Sequence, residues 1–294
     1  MTGPTGVGKS SLAVALAERL DGEILGADAF QIYAGLPVLT AQASPEQLAA
    51  IPHHLVGFLD LSENYNAARF VQAARERMAK ITSRGKLPIL VGGTGLYLKA
   101  LTHGLAEMPP VDPSLRERIS SLSLDVATEE LAKADPEALG QIDRKNPVRV
   151  QRALEIVLQT QRPLADSRGA WSRESNEFRG LILTREREDL RNRIEANVAQ
   201  MLASGAIEEV RRASHAGDGA RRAIGFREIE EFLAGKTSLD ACREAMATAT
   251  KRYAKRQLTW CRTQFNFPAL DLTAIPHPES ALTRALEILE AQAP

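Results

Sequence analysis

The chain has 294 residues, with 37 basic and 37 acidic side chains and 44% hydrophobic residues. These values are typical of a globular protein with one large domain or two ordinary ones, and zero net charge excludes a chain that attracts nucleic acid as a whole. No apolar run approaches the roughly 20 residues of a membrane span, and we find no signal peptide, so we expect a cytoplasmic protein with no membrane partner. Cys242 and Cys261 lack metal-ligand spacing and are expected to be thiols in a reducing compartment.

A phosphate-binding loop is the strongest motif in the chain. The pattern G-x-x-x-x-G-K-[ST] is matched at every fixed position by Gly3, Pro4, Thr5, Gly6, Val7, Gly8, Lys9 and Ser10. Its glycines let backbone N–H groups turn around an anion, Lys9 adds positive charge, and the Ser10 hydroxyl can bind Mg²⁺. The helix-forming segment SLAVALAERL follows, so a helix N-terminus would face the anion. We predict a bound phosphate or diphosphate; the alternative is a glycine-rich turn before a core helix.

Such a loop normally follows a buried parallel strand, but only Met1 and Thr2 precede Gly3. Either the start codon was placed too late, or another segment fills this position in the sheet. A vacant central position would leave the backbone groups of two neighbouring strands unpaired. We expect the natural protein to begin several apolar residues earlier, and the chain as written to be marginally stable.

The first hundred residues alternate strands with helices. Glu23–Ala27 is predicted as a strand that ends at Asp28, Ser44 as the cap of a short helix, and 66–84 as a long helix. The apolar run Leu87–Val91 enters Gly92-Gly93-Thr94-Gly95, as a buried parallel strand enters a ligand-side loop. This order predicts an α/β fold, with a parallel sheet flanked by helices and a phosphate-binding loop at its edge.

Strand signals disappear after residue 111. Helices are predicted to start at Asp112-Pro113, at Thr128 and at Asn146-Pro147, the last one running to about Thr160. A strand returns at 178–184, and long helices are expected at 187–204 and 239–264. We therefore predict an α/β core formed by 1–111 and 177–294, and an all-helical insertion domain at 112–176.

Three clusters of basic side chains stand out against the neutral whole. They comprise Arg144, Lys145, Arg149 and Arg152; Arg211, Arg212, Arg221, Arg222 and Arg227; and Lys251, Arg252, Lys255 and Arg256. Each is either solvated surface or part of a surface for a polyanion, where phosphate contacts would add affinity without sequence information. Aromatic residues make up only 5% of the chain, which argues against an extended base-stacking platform.

One carboxylate lies near the end of a predicted strand on the ligand side. Phosphate-binding loops often share Mg²⁺ with an acidic residue that ends a neighbouring strand, but Leu87–Val91 runs into glycines. Asp28 is the acidic residue left for this edge. From its position alone it is a general base, a metal ligand or a helix cap.

Six motifs in order extend this reasoning. They are Gly3 to Ser10, Ala27-Asp28-x-x-Gln31-x-Tyr33, Pro52-His53-His54-Leu55, Gly92-Gly93-Thr94-Gly95-Leu96-Tyr97, Arg222-x-x-Gly225-Phe226-Arg227 and Lys255-Arg256-Gln257-x-Thr259-Trp260. Together they resemble the bacterial tRNA dimethylallyltransferases, also called tRNA isopentenylpyrophosphate transferases, over nearly the whole chain. The resemblance implies transfer of a dimethylallyl group from dimethylallyl diphosphate to N6 of adenosine 37 of tRNA, with release of diphosphate.

The resemblance also implies roles for residues. Asp28 would be the general base, Thr94 would lie near the reacting groups, and Lys9 with Ser10-bound Mg²⁺ would stabilise the leaving diphosphate. Residues 3–10 and Arg193 would bind the diphosphate. A monomer would contact the anticodon stem-loop through Asp28, Ala29, Phe30, Gln31, Thr94, Arg116, Val148, Arg149, Val150, Gln151, Arg152, Arg222, Ala223, Ile224, Gly225, Phe226 and Arg227.

The chain departs from the family at two places. Asn197 stands where the family commonly has an arginine facing the diphosphate, and residues 39–43 lack a lysine of the usual G-T-A-K-P. His53 and His54 match the family, although a structural role is the simpler interpretation. Three other functions stay open: a phosphate-loop kinase that binds ATP, an adenylate prenyltransferase that uses AMP or ADP, and a non-catalytic RNA-binding relative.

Overall fold

Strands and helices alternate in the computed structural model, which describes residues 1–104, 111–167, 178–275 and 277–292. Its five strands are β1 Gly22–Gly26, β2 His53–His54, β3 Leu87–Val91, β4 Ile182–Thr184 and β5 Ala269–Asp271. Its helices are α1 Lys9–Arg19, α2 Pro45–Ala50, α3 Ala67–Thr82, α4 Gly95–His103, α5 Pro113–Ser120, α6 Leu124–Ala134, α7 Pro147–Thr160, α8 Leu164–Ser167, α9 Arg187–Ala203, α10 Ala206–Arg212, α11 Asp218–Arg221, α12 Phe226–Leu233, α13 Leu239–Gln264 and α14 Pro278–Glu290.

The chain divides into two compact units. One comprises Met1–Thr102 with Ser175–Pro294, and the other comprises His103–Glu174. The described part of the second unit contains only helices, including the three predicted for the insertion at 112–176. The predicted boundary at 176 and 177 lies outside the described residues.

All strand pairs are parallel. β1 pairs with β2 on one side and with β3 on the other, where Ile24 is opposite Ile89, and β4 pairs with β5. Thr2 joins these two groups through parallel bridges to Gly92 and Ile182. Its N–H donates to Leu181 O at 2.9 Å. The predicted α/β fold with a parallel sheet flanked by helices is confirmed, and Thr2 lies between Gly92 and Ile182, in the position of the strand that normally precedes such a loop.

Side-chain caps explain seven of the fourteen helix starts in the described ranges. Ser44 forms a capping box with Gln47, and the side chains of Asn66, Asp112 and Asn146 accept from backbone N–H groups of the first turns. The predicted cap at Thr128 is wrong. Ser123 caps α6 instead, because its hydroxyl accepts from Val126 N.

Two predicted strands differ from those formed. β1 begins and ends one residue earlier than predicted, and the strand predicted at 178–184 is reduced to Ile182–Thr184. The latter strand is short because its partner β5 supplies only three paired residues. Within the described ranges, no helix combines the length and apolar character that a bilayer crossing needs.

Candidate active site

The phosphate-binding loop runs from the sheet edge into the N-terminus of α1. Gly6 and Gly8 have φ values of 78° and 109°, a region that side-chain-bearing residues rarely adopt. The Lys9 ammonium donates to the carbonyl oxygens of Gly3 at 3.0 Å and Pro4 at 2.8 Å. Burial lowers the pKa of Lys9 to about 8, against an upward effect from the Asp28 carboxylate. The loop thus carries a cation whose charge depends on pH near neutrality.

Asp28 lies just beyond β1, and its carboxylate lines the same cavity as Lys9 and Ser10. Its Oδ1 accepts from the backbone N–H of Phe30 at 2.9 Å and of Gln31 at 3.4 Å. The side chain therefore stabilises the turn after the strand, as in the cap interpretation, while it also faces the anion-binding loop. A role in stabilising this turn is compatible with a position beside the loop, because the hydrogen bonds from Phe30 and Gln31 orient the Asp28 carboxylate toward the cavity.

Thr94 is held next to Asp28 by two bonds to the segment after β1. Its Oγ1 accepts from Ala29 N at 2.9 Å, and its own N–H donates to Ala27 O at 3.1 Å. α4 begins at the next residue, Gly95. The structure therefore brings Thr94, named by the family resemblance, next to the segment that carries Asp28.

Two residues of α13 complete this edge, and sequence reasoning gave neither of them a role. The amide of Gln257, which is 5% exposed, contacts both Thr5 and Gly93. The Tyr253 phenol interacts with the Thr94 and Gln257 side chains, and burial raises its pKa. Gln257 lies within the motif quoted for the family resemblance, which was the available signal.

The cavity bounded by these residues has a volume of about 270 Å³. The polar residues in its lining include the phosphate-binding loop, Asp28 and Gln257, and the apolar ones are Phe30, Leu39, Val198, Met201, Ala223, Ile224 and Met246. Met246 precedes Gln257 by eleven residues of α13, which is about 16 Å along the helix, and Met246 and Leu39 both lie close to Gly225. We therefore call the part around Gln257 and the loop the polar end, and the part around Met246 and Leu39 the apolar end. Such a cavity suits a ligand with an anionic head and a short hydrocarbon tail.

α9 contributes Arg193 to the polar end. Its Nε donates to Gly6 O at 3.0 Å, so the guanidinium lies against the outside of the phosphate-binding loop. Asn197, one turn later, also lines the cavity. Both positions of the implied pair therefore line the cavity that contains the phosphate-binding loop.

The wall near the apolar end is a loop held from two sides. The Gln31 side-chain amide donates to Thr40 O at 3.1 Å and to Ala41 O at 2.8 Å. From α10, Glu209 accepts from the N–H groups of Val38 and Leu39, each at 2.8 Å. Burial raises the pKa of Glu209, although both N–H bonds oppose this effect. The side chain of Gln31, predicted as a tRNA contact, is therefore bonded within the wall of the cavity.

The helical unit carries the second group of predicted tRNA contacts. Arg116 Nε lies 3.3 Å from one carboxylate oxygen of Glu155, and Arg152 Nη1 lies 2.7 Å from the other. Gln151 donates to Ile119 O at 3.4 Å. Val148 is exposed, whereas Val150 is fully buried in the core of this unit and only its backbone is available for a ligand.

The third group surrounds the start of α12. Gly225 precedes the helix with φ 97°, and Arg227 pairs with Glu231 at 3.0 Å. Phe226 is fully buried, so its side chain packs inside the protein and its predicted contact is limited to backbone groups. Ala223 is also buried, but the residue lines the cavity.

The third basic cluster and the histidine pair were left open by the sequence. Lys251 pairs with Glu195, and the Arg256 guanidinium lies over the Tyr253 ring at 5.6 Å. His54 Nε2 lies 2.6 Å from the buried carboxylate of Glu23. This contact favours the structural interpretation of His54.

Comparisons with known proteins agree with this geometry. The family described as IPP transferase matches residues 31–264. The chain is 42% identical to tRNA dimethylallyltransferase 1 of Citrifermentans bemidjiense, covering 88% of this chain and 86% of that one. It is 37% identical to the tRNA dimethylallyltransferase of Akkermansia muciniphila, covering 98% of each.

Solved structures give the same result. The full-length tRNA isopentenylpyrophosphate transferase of Bacillus halodurans matches with a TM-score of 0.72 and 33% identity, over 99% of this chain and 96% of that one. A eukaryotic dimethylallyltransferase acting on tRNA matches with a TM-score of 0.84 and 28% identity, over 100% of this chain and 79% of that one. The chain belongs to the IPP transferase family.

Proposed function

We propose that this chain transfers a dimethylallyl group from dimethylallyl diphosphate to N6 of adenosine 37 in tRNA, and releases diphosphate. The observation that carries the proposal is a single cavity lined by Lys9 and Asp28 at one end and by Leu39 and Met246 at the other. The donor has a charged diphosphate and a five-carbon apolar tail, which match those two ends. Family membership and the named relatives support tRNA as the acceptor.

The chemistry follows from these residues. As the allylic C–O bond breaks, negative charge grows on the diphosphate, and the loop N–H groups and Lys9 are placed to stabilise it. The N6 nitrogen forms the new bond to the allylic carbon, and its proton passes to the Asp28 carboxylate. Thr94 fixes the backbone at Ala29 and thereby the turn that orients Asp28.

The proposal includes Mg²⁺, which the Ser10 hydroxyl would hold. Ser10 is exposed at the start of α1 and lines the cavity that Asp28 also lines, and hydroxyl and carboxylate oxygens suit Mg²⁺. When bound, this ion supplies further neutralisation of the leaving diphosphate.

The proposed acceptor is the anticodon stem-loop, whose adenine must leave its stack to reach Asp28. Each unit supplies cations from the predicted contact segments, with Arg222 and Arg227 in one unit, and Arg116, Arg149 and Arg152 in the other. These residues suit the phosphate backbone. We also propose that the protein acts in the cytoplasm as a monomer, which size-exclusion chromatography with light scattering would test.

A transfer assay tests the proposal. The native protein is incubated with Mg²⁺, labelled dimethylallyl diphosphate, and either unmodified tRNA or AMP; a parallel reaction contains labelled ATP. We expect label in tRNA alone. Asp28→Asn should lower kcat by about 10²- to 10⁴-fold, while the Kd for tRNA changes little. Asp240→Asn, an exposed change in the first turn of α13, is the matched control. Label in AMP, or phosphoryl transfer from ATP without prenyl transfer, would overturn the proposal.

A further inference from the structure

One side-chain amide joins two loops at the ligand edge of the sheet. Gln257 Oε1 accepts from the backbone N–H of Thr5 at 2.8 Å, within the phosphate-binding loop. Its Nε2 donates to Gly93 O at 3.0 Å, in the loop that precedes Thr94. The anion-binding loop and the loop that carries Thr94 are therefore linked through a residue of α13.

This position suits an amide at every pH. Thr5 N can only donate and Gly93 O can only accept, so the group between them must offer an acceptor and a donor on one planar end. Both partners also fix the orientation of the amide, since a flipped amide would place its NH₂ group against the Thr5 N–H donor. The fit is close: a Cβ on Gly93 would lie 2.1 Å from Gln257 Nε2. Glycine at 93 and glutamine at 257 are thus matched to each other.

Tyr253 lies one helical turn before Gln257 on α13 and joins the same set of contacts. Its phenol interacts with the side chains of Thr94 and Gln257, and Asp28 and burial both raise its pKa, so the phenol is neutral near pH 7. Thr94 in turn accepts from Ala29 N, next to Asp28. A continuous set of contacts therefore leads from Thr5 through Gln257 and Tyr253 to Thr94.

We infer that Gln257 is a positioning residue for prenyl transfer, which sets the anion-binding loop at the correct distance from Thr94 and Asp28. The inference rests on the proposed function. Transfer requires the allylic carbon, held through its diphosphate, to meet an adenine nitrogen held beside Asp28. Because the two substrates contact different loops, a side chain that fixes both loops controls the approach of the reacting atoms.

Other bonds hold each loop in the fold. Thr2 bridges Gly92, Gly92 N donates to Met1 O at 3.3 Å, and Lys9 bonds to Gly3 O and Pro4 O. Thr94 keeps its bonds to Ala27 and Ala29. Loss of the Gln257 amide is therefore expected to shift the two loops relative to each other without unfolding the protein.

Gln257→Leu keeps the bulk of the side chain and removes both hydrogen bonds. We expect kcat to fall by about 10- to 100-fold, with the tRNA Kd unchanged and the KM for dimethylallyl diphosphate changed less than kcat. Gln200→Leu, at an exposed glutamine of α9, is the matched control and should behave like the native protein. A Gln257→Leu variant with native kcat would overturn the inference.

Gln257→Glu adds a readout that a merely structural role would not move. When ionised, the carboxylate cannot donate to Gly93 O; when protonated, it offers an O–H donor and a C=O acceptor, as the amide does. The ratio of its kcat to that of the native protein should therefore rise as the pH falls. A ratio independent of pH would contradict the inference, even if Gln257→Leu folds poorly. If the native protein transfers no prenyl group, the proposed function fails; if it does and both variants match it, this inference alone fails.

Discussion

Arg193 donates from Nε to the carbonyl oxygen of Gly6 at 3.0 Å, so a guanidinium of α9 supports the phosphate-binding loop from outside. Asn197 lies one turn later on the same helix and lines the same cavity. The amide is neutral, so the cations in the described lining of the cavity are Lys9 and Arg193, and Arg185 adds a third positive charge nearby through its bond to Val7 O at 2.9 Å.

Asn197→Arg should strengthen donor binding by adding a cation at this end. Because the position is exposed, we expect a decrease in the KM for dimethylallyl diphosphate of about two- to fivefold, equivalent to roughly 0.4–1 kcal/mol. Steady-state kinetics at low and high salt would measure it, and the gain should shrink at high salt. Gln200→Arg places the same charge farther along the helix and should change KM less. Equal effects of the two variants would refute a local contact.

Diphosphate binding should weaken above about pH 8. Burial lowers the pKa of Lys9 to about 8, so the ammonium is charged below that value and loses its proton, and its attraction for the anion, as the pH rises through it. Isothermal titration calorimetry with inorganic diphosphate, at pH values from about 6.5 to about 9.5, would measure the Kd on both sides of the Lys9 pKa. Lys9→Arg stays charged throughout, so its profile should be flatter. Identical profiles for the native protein and Lys9→Arg would rule out this lysine as the cause.

Gly225→Ala should impair both stability and donor binding. Gly225 has φ 97°, and a Cβ there would lie 2.6 Å from Met246 Cε and 2.9 Å from Leu39 Cδ1, two side chains that line the apolar end of the cavity. We expect the free energy of unfolding to fall by about 1–3 kcal/mol and the KM for the donor to rise.

Gly205→Ala separates the loss of stability from the effect on donor binding. Gly205 also has a positive φ, 111°, but a Cβ there has no neighbour within 4 Å. This variant should lose stability through backbone strain alone and keep the native KM. Urea unfolding and steady-state kinetics on both variants provide the comparison, and a native KM in Gly225→Ala would show that Met246 does not define the donor site.

Arg84→Ala should destabilise the protein at neutral pH more than in acid. The Glu23 carboxylate is buried, and burial alone would raise its pKa. Hydrogen bonds from Arg84, at 2.8 and 2.9 Å, and from His54 have a larger combined effect in the opposite direction, so the pKa of Glu23 lies below its usual value. Its contribution to stability is therefore present above the ordinary carboxyl pKa and is lost as the pH falls through the lowered value.

We expect Arg84→Ala to lose about 1–3 kcal/mol at pH 7, measured by urea unfolding, with a smaller difference near pH 4 (roughly the ordinary carboxyl pKa). Arg284→Ala breaks an exposed pair with Glu287 and should cost less than about 1 kcal/mol. If the two variants lost the same free energy of unfolding at both pH values, the contribution of Glu23 to stability would not depend on Arg84.

Local patterns made the sequence-based predictions successful. The phosphate-binding loop, the strand Leu87–Val91 and the caps at Ser44 and Asn146 depend on neighbouring residues, and the structure confirms these elements. The predicted burial of Leu87–Val91 is wrong, because Leu87 is exposed and the other four residues are half-buried. Thr128 was mistaken for a cap because a serine and a threonine lie close together in that segment, and only the geometry of α6 distinguishes them.

Long-range contacts could not be predicted. Gln257 meets Thr5 across 252 positions of the chain, and no periodicity relates the two residues. Thr2 pairs with both Gly92 and Ile182, but two residues are too few to form a strand pattern. In the same way, the burial of Val150 and Phe226 depends on helices that pack over them, so motif matching alone assigned their side chains to a ligand surface.

The carboxylate of Glu209, on helix α10, accepts hydrogen bonds from the two consecutive N–H groups of Val38 and Leu39. The cavity wall at Leu39 is thus held by α10, whereas the proposed anion site belongs to the loop before α1. Redesign of the helix around Glu209 could therefore widen the cavity for bulkier donors and leave the phosphate-binding loop unchanged.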